Sequence, residues 1–157
     1  MLKRTALGAA LAVALAAAGV AAAAAVTHQS SAASSATAGR VTLHKTKIGN
    51  VLATSSGRTL YLFMKDKNGK SACYGQCATY WPPLMKKGAL RAGAGVKANL
   101  LGTTKRKNGK AQVTYKGHPL YTFLLDKKPG QTAGEGSTNF GAAWYALAPS
   151  GATIDRD

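Results

Sequence analysis

The sequence predicts an all-β fold: two pseudo-repeated antiparallel hairpin or meander units packed as a small sandwich or barrel, with little helix. Three observations carry this. Ten residues are written twice, Gly57-Arg58-Thr59-Leu60-Tyr61-Leu62-Phe63-Met64-Lys65-Asp66 returning as Gly117-His118-Pro119-Leu120-Tyr121-Thr122-Phe123-Leu124-Leu125-Asp126. Each copy is a short aromatic and apolar run entered and left by turn residues, the pattern of a strand. Third, Tyr61 and Phe63 share one face of such a strand, as do Tyr121 and Phe123, while Leu60, Leu62 and Leu120 point the other way. Side chains alternate with period two, so both faces need covering, which two packed sheets or a closed barrel would supply.

Before the repeats, Met1-Leu2-Lys3-Arg4 precedes an Ala/Leu/Val stretch and then Ser-rich sequence. A basic start, an apolar run and small residues at its end are the order of a secretory signal, assigned to residues 1–26, with an uncleaved anchor as the alternative. Residues 27–40 hold no aromatic and no periodicity and are expected to be a disordered Ser/Ala-rich linker. The folded part is then 41–157, with repeat one at about 48–84 and repeat two at about 111–149, a length suited to one domain with a modest core.

Within repeat one, Ile48 to Thr54, a turn at Ser55-Ser56-Gly57-Arg58, and Thr59 to Met64 read as a hairpin. In repeat two Ala111 to Tyr115 runs through Lys116-Gly117-His118-Pro119 into Leu120 to Leu124. Upstream, Leu100 to Lys107 meets Asn108-Gly109, a hairpin turn signal, which makes three successive strands. A turn or two around Tyr74 to Tyr80 is the only helical candidate. Asp66 and Asp126 each end a strand before a turn, where a carboxylate accepts backbone N–H bonds; calcium ligation is the functional alternative, with few other acids to serve it.

Leu60-Tyr61-Leu62-Phe63-Met64-Lys65-Asp66, Ser71-Ala72-Cys73-Tyr74-Gly75-Gln76-Cys77-Ala78, Trp81-Pro82-Pro83-Leu84, Leu120 to Asp126 and Phe140-Gly141-Ala142-Ala143-Trp144-Tyr145 together resemble the bacterial secreted repeat family of unknown function. That family is also described as predicted lipoproteins with a Tyr-x-aromatic-x-x-Asp motif. The resemblance runs from about Ile48 to Pro149. It implies a secreted or surface-attached bacterial protein with two copies of the repeat, and no activity. No Cys follows the apolar leader, so a lipid anchor is not expected.

The chain carries 21 Lys and Arg against 5 Asp and Glu, a formal net charge of +16, most of it Lys gathered around turns. Lysine loops suit diffuse attraction to polyanions better than bidentate recognition, so an anionic cell-wall polymer or membrane surface is the expected partner. Specific nucleic-acid binding is not expected, because the aromatics lie in strand patterns and not between the basic residues.

Cys73 and Cys77 are the two cysteines, and an exported protein with two most simply forms a disulfide. The alternative is a copper or thiol redox site with Met64, Met85 or His118 as added ligands. Covalent haem attachment, a four-thiolate zinc site and a phosphate-cradling loop all lack their residues. Hydrolysis would need paired carboxylates or an oriented nucleophile and base. The histidines are scattered at His28, His44 and His118, Glu135 sits in the loop Gly134-Glu135-Gly136, and Asp155 and Asp157 are terminal, so no enzyme is expected. Trp81, Trp144 and Tyr145 read as packing residues that would stack on a sugar ring if exposed together. The halves differ most where Cys73 to Leu84 faces its cysteine-free counterpart, Gly134 to Leu147, and function is expected there. The sum is an exported, non-enzymatic binding or structural module of the cell envelope.

Overall fold

The computed structural model describes residues 39–155; the leader, most of the Ser-rich segment, His28 and Asp157 lie outside the described residues. Strand β1 (Arg40–Thr46) pairs antiparallel with β2 (Gly49–Thr54) through a turn closed by Thr46, whose hydroxyl donates to Gly49 O at 2.8 Å. β1 also takes a short parallel partner, β4 (Arg91–Ala92). The sequence reading starts at Ile48 and places no strand there, although Val41 and Leu43 alternate with polar neighbours.

After β2 the chain turns at Ser55 to Arg58 and returns past it, with Ala53 bridged to Thr59 and the Leu60 N–H donating to Leu52 O at 2.8 Å. It then leaves as β3 (Tyr61–Phe63). Repeat two follows the same plan: β5 (Leu101–Lys105), β6 (Ala111–Tyr115) and β7 (His118–Pro119) form an antiparallel meander, and the Leu120 N–H donates to Val113 O at 3.0 Å. The β5–β6 turn falls at Asn108-Gly109, Gly109 taking the left-handed φ of 77° that glycine tolerates. Among the described residues, one short helix, α1 (Gln76–Tyr80), and a 3-10 turn at Ala98–Leu100 make up the helical content.

The repeats are not side by side; each closes the other. β3 of repeat one pairs with β8 (Trp144–Ala146) of repeat two. The equivalent segment of repeat two, Tyr121 to Phe123, lies against Trp81-Pro82-Pro83 of repeat one, bridged at Pro83 and Tyr121. Proline has no N–H to donate, which explains why this second ladder is a single bridge where its counterpart is a three-residue strand. Farther along, the Leu52 N–H donates to Leu147 O and the Val113 N–H to Leu84 O, both at 2.8 Å. At the centre the Tyr61 N–H donates to Tyr121 O at 2.9 Å and the Tyr121 N–H to Tyr61 O at 3.0 Å. This reciprocity is that of a twofold axis passing between the two tyrosines.

The result is an all-β sandwich of three small sheets, ordered β2-β1-β4, β3-β8 and β5-β6-β7, with no closed barrel. Both faces of the repeated strand are covered, as the alternation requires. Tyr61, Phe63, Tyr121, Phe123, Trp81, Trp144 and both cysteines form one core; Leu60, Leu62, Leu120, Leu52, Val113 and Leu147 form another on the opposite side. Because the strand that seals each core comes from the other repeat, neither half can bury its own apolar face. A fragment covering 39–96 is expected to lack near-UV circular dichroism and to recover it when mixed with 97–155; a folded signal from 39–96 alone would contradict the exchange.

Candidate functional site

Four aromatic rings stack along the first core, in the order Phe63, Trp144, Trp81, Phe123. The centroids are 4.0, 3.9 and 4.2 Å apart, with the two indoles at 4° to each other. Tyr61 meets Trp81 edge-on at 5.3 Å and Tyr121 meets Trp144 edge-on at 5.1 Å, the arrangement the ring quadrupole favours. Trp81 and Trp144 are fully buried, so neither presents a face to a sugar. Tyr145 points the other way along β8 and packs partly buried against the second core. The expectation of a sugar platform on these three residues therefore fails on accessibility, because the pseudo-twofold brings the two Trp together in the interior. The Trp144 indole N–H donates to Asn139 O at 2.9 Å, whereas that of Trp81 is buried without a partner.

The Asp residues do more than close turns. Asp66 Oδ1 accepts the Ala72 N–H at 2.7 Å and Asp126 Oδ1 the Ala133 N–H at 2.9 Å, as a strand-end carboxylate is expected to do. The second oxygen of each takes a phenol from the opposite repeat: Tyr61 donates to Asp126 at 2.7 Å and Tyr121 to Asp66 at 2.8 Å. Tyr121 Oη also lies 2.8 Å from Ser71 Oγ. Burial pushes both carboxyls above the ordinary range, while the hydrogen bonds and a nearby guanidinium, Arg106 for Asp66 and Arg58 for Asp126, pull them back. Burial first, then the partner Asp, raises the pKa of both tyrosines, which stay protonated donors. Each carboxylate oxygen thus accepts a donor within the fold, and the two Asp tie the repeats to each other.

Arg106, absent from the sequence reading as a site residue, is buried. Its guanidinium donates to Gln112 Oε1 at 2.6 Å, Ser71 Oγ at 2.9 Å and Cys73 O at 2.7 Å, and lies 4.4 Å over the Tyr74 ring. It ties the cysteine segment to β6. Cys73 and Cys77 form a disulfide inside the first core. Of the other residues named for copper, Met64 is exposed just past β3, Met85 bridges Gln112, and His118 stands opposite Tyr115 in the β6–β7 turn. Among the described residues no cluster of three or more His, Cys, Asp or Glu could hold a metal ion.

Glu135 is also more engaged than its glycine-flanked loop suggests. Its Oε2 accepts the Ala146 N–H at 2.6 Å, and its Oε1 is buried without a partner. Burial, with Asp155 nearby, pushes its pKa up to about 7. The net effect on charge is plain: three of the four described carboxylates turn inward. Every described Lys and Arg except Arg58 and Arg106 is exposed, while Asp155 is the one exposed carboxylate among the described residues. A depression of about 430 Å³ lies between Lys47 and Lys128 along the loop to Ala133.

Interlocked halves, a buried aromatic stack and crossed Tyr–Asp bonds define a two-repeat β-sandwich whose motif residues serve the fold. The chain belongs to the family described as a secreted repeat of unknown function, matched over residues 42–85 and 102–148. Those two stretches open at equivalent points, one residue or so into β5 and β1. No curated protein and no solved structure matches the chain.

Two outcomes follow from the buried polar groups. Tyr61→Phe removes a bond to a buried carboxylate and is expected to cost about 1.5–3 kcal/mol in denaturant unfolding. Tyr121→Phe should cost less, because Asp66 is less buried than Asp126; negligible losses in both variants would show the phenols to be incidental. The folded pKa of Glu135 lies above its ordinary 4.5, so its contribution is fully present below about pH 4.5 and is lost as pH rises through about 7. Glu135→Gln is expected to flatten that part of the decline in a melting-temperature series from pH 4 to 8, and an unchanged slope would refute the assignment.

Proposed function

We propose that this protein is a non-enzymatic module of the cell envelope that adheres to anionic wall polymer through its lysine surface. The observation that carries the reading is the partition of charge: Asp66, Asp126 and Glu135 are consumed inside the fold, while the lysines ring the outside with Asp155 alone among exposed described carboxylates. Lysines spread around turns give a field of one sign over much of the surface, which attracts a polyanion without requiring one fixed pose. The family's description as secreted and the disulfide both support work outside the cytoplasm. The repeat motif itself supports no catalytic role, since its Tyr and Asp side chains are bonded to one another.

Purified wall should retain the secreted protein at low ionic strength and release it as salt rises, with retention gone near 1 M, where the Debye length is ~3 Å. Absence of retention even at low salt would sink the proposal.

A further inference from the structure

An aromatic cleft opens on the surface in the segments where the repeats diverge. Tyr80 ends α1 of repeat one; Phe140 sits in the loop before β8 of repeat two. Their rings stand 6.1 Å apart at 43°, forming the walls of a cavity of about 340 Å³ lined by Tyr80, Asn139 and Phe140. Tyr80 is 41 % exposed. The cleft is rigidly founded. The Trp144 indole N–H holds Asn139 O, the Leu124 N–H holds Tyr80 O at 2.8 Å, and Phe140 packs against the first core. Phe140 is held at φ 67°, a left-handed conformation costly for a bulky residue and kept only where the surroundings impose it. The Lys65 ammonium donates to Phe140 O at 3.3 Å, which brings a cation to the backbone of the residue that forms one wall.

We propose that this cleft binds a pyranose ring of an acidic glycan, the sugar seated across the open mouth of the wedge that Tyr80 and Phe140 form, with its carboxylate or phosphate toward Lys65. Aromatic faces carry negative potential that suits the C–H side of a sugar ring. The Asn139 amide supplies both a donor and an acceptor for hydroxyls, and Lys65 complements the negative charge. A bilayer would be met better by protruding apolar side chains than by a concave cleft with an amide at its edge. The inference rests on the wall-polymer reading and deepens it, since charge alone gives adhesion and the cleft gives recognition of sugar.

The test is calorimetric titration of the secreted protein with three ligands: a soluble uronate oligosaccharide; linear polyphosphate, which has charge but no rings; and phosphatidylglycerol vesicles. Tyr80→Ala and Phe140→Asn each remove one wall, and Asn tolerates the left-handed backbone; near-UV circular dichroism of the Trp stack confirms that each variant is folded. Either variant should bind the oligosaccharide ~10-fold more weakly, the size of losing a well-packed contact, while polyphosphate binding stays unchanged. Wild-type indifference to the oligosaccharide, or equal affinity of wild type and both variants, overturns the cleft. So does a loss in the variants that appears only on phosphatidylglycerol vesicles, which would make the patch a membrane contact. Oligosaccharide binding that depends on Tyr80, in a protein retained by neither polyphosphate nor wall, would sink the charge reading and leave the sugar site standing.

Discussion

The structure turns on the pair Tyr61 and Tyr121, where two short strands cross at a pseudo-twofold axis. Their backbones exchange both hydrogen bonds, and their phenols reach past one another to the Asp of the opposite repeat. A phenol bonded within its own repeat would leave the side chains at the axis joined across the halves by apolar contact alone, which is non-directional and indifferent to register. Crossed bonds to buried carboxylates penalise any slip, because an unpaired buried acceptor costs more than a satisfied one returns. The Trp stack follows from the same axis. Once the tyrosines are fixed, the indoles that follow the exchanged segments have only the space between Phe63 and Phe123 to occupy.

The crossing also accounts for the surface. A basic chain with few acids has spent nearly all of those described on internal positions, two as acceptors for tyrosine and one as acceptor for the β8 backbone. What remains outside is lysine together with Arg40 and Arg91. Arg106 and Arg58, the two guanidiniums withdrawn from the surface, sit beside the buried carboxylates and bond to main-chain oxygens of Cys73 and Phe123. Guanidinium suits such a role, being planar, multiply donating and less strongly hydrated than an ammonium. These two withdrawn arginines help hold the fold, while every described lysine stays exposed.

Much of the architecture was legible because it depends on local pattern. The doubled phrase, the Asn108-Gly109 turn, the meander of repeat two and the apolar character of both strand faces each need only neighbours in sequence. β1 escaped because its alternation, Val41 and Leu43 among polar residues, is weak beside the Ser-rich segment it follows. The prolines at Pro82 and Pro83 hinted at an interrupted strand without saying what it would have paired with. The site was less legible. Trp81, Trp144 and Tyr145 read as packing residues with a sugar platform left open, because exposure depends on packing and not on residue type, and the cleft formed by Tyr80 and Phe140 joins residues sixty apart that share no motif.

The sequence by itself determined that the chain is a doubled β unit of the secreted repeat family, strongly cationic, with one cysteine pair, since composition, periodicity and turn chemistry are properties of neighbours along the chain. Tertiary structure alone decided that each repeat completes the other. An Asp five residues after a Tyr gives no sign of whether the bond it accepts comes from that Tyr or from its copy sixty residues away. The choice is made by the pairing of two strands across an axis, a contact between distant parts of the chain that no local preference encodes.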